Sequence, residues 1–501
     1  MKTRNFAAAL VFAAISYSGY TQESRECATK KIEASIEAFG GRKLLDSLHT
    51  LKWTGLGYRL MREQSERPEG PFITDYFSID TKKDLDRKML KSAQESKLFG
   101  YSISYLLNDS LAARSFNDNG HWYPAPKVVE NDLFLAPERV LFTALQASNL
   151  RCGKDTIIQQ VPHSEISFNW RKKPVKVYLN KNTHLITAVQ TTEEYQLDNY
   201  HVWGDVPRTI YYSFYGLEQN HLRYPYQMDI FINGELSENI TLTSLEQNPE
   251  ISDTLEIDKK LLPQISAYYN RKSVGGLATD KAFEEEEGLT IIPGSWNSSI
   301  IKQEDGIVII EGPVSSGFSS EIIDFAHKLY PSEKIKAVIS TSPAWPHIGG
   351  LRAFVAEGIP VYHAKRNLPL LQKLMKADFK THPDKEEKLQ KTMISKTISE
   401  VTKIGKGKNR MIIYPISTEG SEGMLMIYFP EYKLLYTSDM VQSISAENTP
   451  YFREYWLEIL QAIDREQLEV EKIFGMHQNP VQLSELEKAL SPDNAPSSDL
   501  F

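Results

Sequence analysis

The side chains with most chemistry to offer in the C-terminal half of the 501-residue chain are its histidines, His327, His347, His363, His382 and His477, with carboxylates such as Asp439. Where two imidazoles and a carboxylate meet, the three fill positions around zinc and leave a fourth for water acidified to near neutral pH. The same donor set suits iron(II). The plainer alternative is a pocket that keeps the three side chains tied by hydrogen bonds and does no chemistry. His363 closes a short apolar run and reads as a packing residue before a ligand. His327 and His382 lie in charged, helix-like stretches and read as solvated. No Ser-His-Asp arrangement, phosphate-binding P-loop or glycine-rich dinucleotide motif occurs.

The elements that would position these residues alternate. Residues 300–301 and 306–310 read as short strands joined by the polar turn Gln303-Glu304-Asp305. A helix over 320–329, a strand over 335–340, a helix over 349–357 and a strand from Pro360 follow, which is the order of a layered α/β domain. Upstream the texture differs. Residues 23–264 read as a β-rich (α+β) domain of mostly antiparallel sheet, with helices over 28–39 and 137–147. Asn233 and Gly234 between two alternating runs supply the positive φ angles of a two-residue hairpin turn. Residues 251–288 lose periodicity and carry Gly275-Gly276 and the acidic run 284–287, so they read as a solvated connector that holds the domain boundary.

The chain opens with Lys2 and Arg4, an apolar run over 6–15, and then small residues, the three-part layout of a secretory signal peptide. That run is too short for a permanent membrane span, and no later segment reaches the length. Export would place Cys27 and Cys152 where they can oxidise to a disulfide, although spacing does not say that they meet. A formal charge of −8, from 57 basic and 65 acidic side chains without a basic block, argues against nucleic acid as a partner. The expected division is a signal peptide over 1–21, a β-rich domain over 22–264, a linker over 265–288, a second domain over 289–492 and a tail over 493–501.

The strings GIVIIEGP, IKAVISTSPAWPHIGGLRAF, GIPVYHA, GMLMIYFPEYKLLYTSDM and KIFGMH, in that order, resemble the metallo-β-lactamase fold family across about 200 residues. The resemblance implies an αββα sandwich, two sheets between helices, with up to two zinc ions on loops at one edge. It also implies the signature Thr-His-x-His-x-Asp-His-x-Gly-Gly. Here Ser342 and Ala344 stand at the two first-metal histidines, Pro346 at the second-metal aspartate and Gly420 at the next histidine. His347, Asp439 and His477 match the positions that serve the second metal. Ala, Pro and Gly offer no donor, so a dinuclear centre is not expected. At most one divalent ion, zinc or iron, remains in reach.

The family likeness also places the lysine-rich insert over 367–408 above the site, where it would favour an anionic substrate if it is more than a solvated helical face. Residues 224–248 resemble the curved sheets of lipoprotein-carrier-like periplasmic proteins, which implies a concave face able to hold a small-molecule or lipid-like ligand. The simpler expectation is that its aromatics pack under the domain's own helix. Two function classes therefore stand. One is an exported pseudo-hydrolase that binds a ligand or partner with no chemistry. The other is a single-metal hydrolase of an ester, amide or phosphoester, with His347 and His477 as ligands and Asp439 as ligand or proton acceptor.

Overall fold

The structure, a computed structural model, describes residues 5–62, 72–98, 100–194, 202–218, 220–252, 255–270, 277–416, 423–442, 444 and 450–491. The chain forms two compact units. The first comprises Met1–Met61, Thr74–Glu194 and Val206–Asn270, and the second Arg62–Ile73, Tyr195–Asp205 and Arg271–Phe501.

In the first unit, fourteen strands among the described residues form one sheet. Its middle is the antiparallel ladder between Thr50–Leu60 and Glu235–Gln247, the first and last strands of the unit. From Thr50–Leu60 the chain meanders outward through Thr74–Asp84, Met89–Ser96, Ser102–Asn108 and Leu111–Phe116. It returns from the other edge through Val161–Trp170, Lys173–Asn180, Ile186–Glu194, Asp205–Leu217 and Arg223–Ile232. The hairpin at Asn233 and Gly234 forms as expected, with φ of 55° and 83°.

Between the two meanders the chain folds into short helices, Lys127–Glu130, Asn131–Phe134 and Val140–Gln146. These pack on the sheet through buried Val129, Leu133, Val140, Leu141 and Ala144. Buried polar pairs fix their register. Glu138 accepts from Lys83 at 2.8 Å and from the Tyr224 hydroxyl at 3.0 Å, and the Asn131 amide donates to Glu193 at 2.7 Å. Removing one partner of such a pair would strand a buried charge, so the pairs dictate one placement. The helix Asn5–Phe39 buries Ala28, Ile32, Ile36 and Phe39 at four- and three-residue spacing. Cys27 on that helix is bonded to Cys152 with the Cα atoms 6.0 Å apart.

The second unit has two sheets among its described residues. The seven-stranded sheet runs Phe283–Glu286, Leu289–Ile292, Ser298–Gln303, Gly306–Ile310, Ile335–Ser340, Val361–Ala364, Ser395–Ile398. The six-stranded sheet runs Thr402–Ile404, Met411–Ile416, Met424–Phe429, Leu434–Tyr436, Lys472–Phe474, Val481–Gln482. Ile301, Val308, Ile310 and Ile339 of the first sheet share one core with Ile413, Leu425, Ile427 and Phe474 of the second, so the sheets pack face to face. Each such isoleucine or leucine contributes about 2 kcal/mol by burial. The other face of the six-stranded sheet is covered by the helix Pro450–Arg465 through Tyr455, Trp456, Ile459 and Ile463. The helices Ser316–Leu329 and Leu351–Glu357, both with buried apolar faces, connect strands of the seven-stranded sheet.

Two local expectations change. The stretch 265–288 is not all connector: Leu262–Tyr269 is a helix burying Ile265 and Tyr268, and Glu284, Glu285 and Glu286 of the acidic run lie in the edge strand Phe283–Glu286. An edge strand tolerates outward charges that an inner strand would not. The insert over 367–408 is more than a solvated face. It supplies Ser395–Ile398 to one sheet and Thr402–Ile404 to the other, with Ile398 and Ile404 in the shared core. Its lysines hid that alternation.

Candidate functional site

Strand ends from both sheets of the second unit converge. Glu311 follows Gly306–Ile310, and Thr341 follows its parallel neighbour Ile335–Ser340. Tyr436, Ser438 and Asp439 close Leu434–Tyr436, and His477 lies three residues beyond its parallel neighbour Lys472–Phe474. The carboxyl ends of parallel strands are where open sheets leave a crevice for ligands. His347 reaches this point from the short helix Trp345–Ile348, with Pro346 in its first turn. The backbone is held tightly there: Glu311, Val314 and Ser438 all have left-handed φ, at 76°, 62° and 57°. Such residues persist only where the surroundings over-determine them, and they cluster at sites. Glycine is required beside them. A Cβ on Gly475 would lie 2.7 Å from the Ser438 carbonyl, and one on Gly349 would lie 2.2 Å from the Val314 carbonyl.

His347 is fully buried between two carboxylates. Its Nδ1 lies 2.9 Å from Glu311 Oε2 and its Nε2 lies 3.6 Å from Asp439 Oδ2. Neither ring nitrogen meets hydrogen-bond geometry, so the attraction is one of charge more than direction. Burial alone would push this imidazole down, but Glu311 and Asp439 outweigh it and hold it up at about 10. Burial would likewise raise Asp439, yet His477 and His347 beside it hold its carboxyl well below the usual carboxylate range. His477 Nε2 lies 3.1 Å from Asp439 Oδ1, and its Nδ1 lies 2.7 Å from the Ser295 carbonyl. Gln442 Nε2 donates to Asp439 Oδ1 at 3.1 Å.

Behind the histidine, Glu311 Oε1 accepts from the Tyr436 hydroxyl at 2.8 Å and from Thr341 Oγ1. Thr341 Oγ1 also lies 2.6 Å from Ser438 Oγ. Burial, with Glu311 adding to it, pushes the Tyr436 phenol well above its ordinary value, so it stays a donor. The result is an unbroken row of ionisable side chains from Glu311 through His347 and Asp439 to His477. Exposure rises along it, from none at Glu311 and His347 to 10% of the Asp439 side chain and 24% of the His477 side chain.

This row does not fit a zinc centre. Among the described residues, no group of three or more His, Cys, Asp or Glu side chains is arranged to hold a metal ion. Both ring nitrogens of His347 face carboxylates, Glu311 at 2.9 Å and Asp439 at 3.6 Å. Ser342 and Ala344 are buried, and the Ser342 hydroxyl is already used, accepting from the Ala344 amide at 3.2 Å. Pro346 offers only its carbonyl, which accepts from Val314 at 3.0 Å. Gly420 lies outside the described residues.

The structure therefore brings His347, Asp439 and His477 into one line of contacts and leaves the other histidines elsewhere. His363 is buried and satisfied, with Nδ1 2.8 Å from the Ala364 carbonyl and Nε2 2.8 Å from Ser395 Oγ. His327 and His382 are exposed. Glu311, Thr341 and Tyr436 are the functional neighbours that sequence reasoning passed over. The signal for Glu311 was a carboxylate placed directly after the fully apolar strand GIVII, where a buried charge needs a partner.

No protein-family model matches the chain, and no curated protein matches it. Among solved structures it is similar to a metallo-β-lactamase from Pontibacter korlensis, at 16% identity and a TM-score of 0.34, over 42% of this chain and 96% of that one. It is similar to the inverting sec-alkylsulfatase Pisa1 from a Pseudomonas species, at 15% identity and 0.31, over 41% of this chain and 40% of that one. It is also similar to the metallo-β-lactamase FIM-1 from Pseudomonas aeruginosa in its mono-zinc form, at 15% identity and 0.32, over 42% and 92%. The layering described above rests on strand pairing and the shared core alone.

Proposed function

We infer that this protein is an exported pseudo-hydrolase: a metallo-β-lactamase-like αββα sandwich with a degenerate zinc site, which binds a small-molecule ligand or a partner and does not hydrolyse it. The observation that carries this reading is His347 seated between Glu311 and Asp439, 2.9 and 3.6 Å away. A protonated imidazole there supplies the positive charge that two buried carboxylates demand, the task a cation would otherwise perform. The donors missing at Ser342, Ala344 and Pro346 agree with it. Export is supported by the N-terminal layout and by the Cys27–Cys152 bridge, since disulfides persist in oxidising compartments. Among the described residues no helix is long and apolar enough to cross a membrane.

A single-metal hydrolase is the second reading, and one contact favours it. A carboxylate on the far nitrogen of a histidine, as Glu311 is on His347 Nδ1, is the arrangement found behind metal-ligating imidazoles. Elemental mass spectrometry of the purified mature protein, before and after chelation, separates the two. The pseudo-hydrolase reading expects well under one equivalent of zinc or iron per chain and no turnover of generic ester, phosphoester or β-lactam substrates. One tightly held equivalent with chelator-sensitive hydrolysis would establish the second reading, and two equivalents would overturn both.

A further inference from the structure

A cleft of about 610 Å³ opens in the first unit, in the size range of small-molecule sites. One wall is the helix Val140–Gln146 with Arg139 before it, and the other is a set of hairpin tips. Three of those tips carry a residue in the left-handed region where glycine or asparagine is the unstrained choice: Lys88 at φ 56°, Asp109 at 50° and Arg171 at 48°. All three line this one cleft. Left-handed residues also occupy other hairpin turns of the unit, Gln159 and Gln160 among them, so the lining is what distinguishes this cleft.

The charges do not cancel. Asp86 is engaged by His49 Nδ1 at 2.8 Å, and Asp109 by Arg171 at 2.8 Å. Arg171 is shared between Asp109 and Glu130. Among the described residues Lys88 has no ion-pair partner, and Arg139 spends one donor on the Leu48 carbonyl at 3.1 Å. Lys88 and Arg139 thus line the cavity without an ion-pair partner among the described residues, with Asp86 beside them held by the His49 imidazole. The apolar part of the lining combines the aromatic Phe134, Trp170 and Phe142 with Leu85 and Leu133. The Phe134 and Trp170 rings lie 5.4 Å apart, and the Arg171 guanidinium sits within 5 Å of both.

We propose that this cleft is a binding site for a small organic anion with a flat apolar body, its carboxylate, sulfonate or phosphate group held by Lys88 and Arg139 and its body against Phe134, Phe142 and Trp170. The site lies wholly in the first unit and stands independently of the function inferred for the second.

The test uses the full mature chain and the fluorescent anion 8-anilinonaphthalene-1-sulfonate, with neutral N-phenyl-1-naphthylamine as its uncharged counterpart. The expected result is one saturable site for the anion, at least tenfold tighter than for the neutral dye and weakened by salt. Lys88→Gly is the informative variant. It relieves the left-handed strain, so the melting temperature should hold or rise, while anion affinity falls about tenfold. Arg139→Gln and Trp170→Ala should each weaken the anion by a similar factor. Equal binding of both dyes, no saturable site, or an unchanged anion affinity in Lys88→Gly with the fold intact would each overturn the proposal.

Discussion

Glu311 and His347 stand 2.9 Å apart with neither side chain exposed, although 36 residues of chain separate them. The end of the strand Gly306–Ile310 delivers Glu311 and the short helix Trp345–Ile348 delivers His347, while Tyr436 and Thr341 bind the other oxygen of the same carboxylate. That carboxylate is consequently the joint between the two sheets at this edge.

Removing its charge is the first test. Glu311→Gln should lower the unfolding free energy of the second unit by about 3 kcal/mol, the range for breaking one side of a buried ion pair. Denaturant titration followed by tryptophan fluorescence would measure it. Loss of under 0.5 kcal/mol would mean that the pair is not charged in the folded protein.

The pH dependence has a definite sign. His347 is held at about 10 in the folded protein against 6.5 unfolded, so its contribution is complete below pH 6.5 and fades as pH rises through 10. Asp439, held low, contributes above its unfolded value near 3.8 and loses that contribution only in acid. In chelator-treated protein the stability gap between wild type and His347→Gln should therefore narrow steadily from pH 6.5 to 10. A gap that widens over that span would refute the imidazolium assignment.

The Cys27–Cys152 bridge closes a loop of 125 residues and should be worth about 4 to 5 kcal/mol by restricting the unfolded chain. Reduction, or the Cys27→Ser and Cys152→Ser pair, should lower the melting temperature of the first unit. A melt insensitive to reductant would show the bridge to be thermodynamically idle.

Mature protein should begin between Gly19 and Glu23. The Ser24 hydroxyl accepts from the Cys152 amide at 3.2 Å, and Arg25 donates to the Ala147 and Leu145 carbonyls at 2.7 and 3.1 Å, capping the helix Val140–Gln146. Cleavage ahead of Ser24 leaves both contacts intact. N-terminal sequencing decides the position, and Arg25→Ala should cost about 1 kcal/mol.

Sequence pattern located the strands Ile335–Ser340 and Gly306–Ile310 and the Asn233–Gly234 hairpin because period and turn chemistry agree there. It also singled out His347, Asp439 and His477, which motif order alone could flag. What it passed over has a common physical cause. Glu311 carries no periodic signal, since its importance comes from a partner 36 residues away. Strands Ser395–Ile398 and Thr402–Ile404 are three or four residues long and half lysine-flanked, too short for alternation to show. The meeting of Cys27 with Cys152 depends on how the helix Asn5–Phe39 lies on the sheet, which no spacing encodes.

The middle ladder of the fourteen-stranded sheet joins Thr54 to Ser244, 190 residues apart. A ribosome must therefore make the whole unit before its centre can close. Until then Thr50–Leu60 is an open edge, and the outward meander has nothing to lean on across its longest side. Pairings this remote in sequence form slowly. The nascent chain thus spends its synthesis unfinished, and its maturation is timed by its last strand.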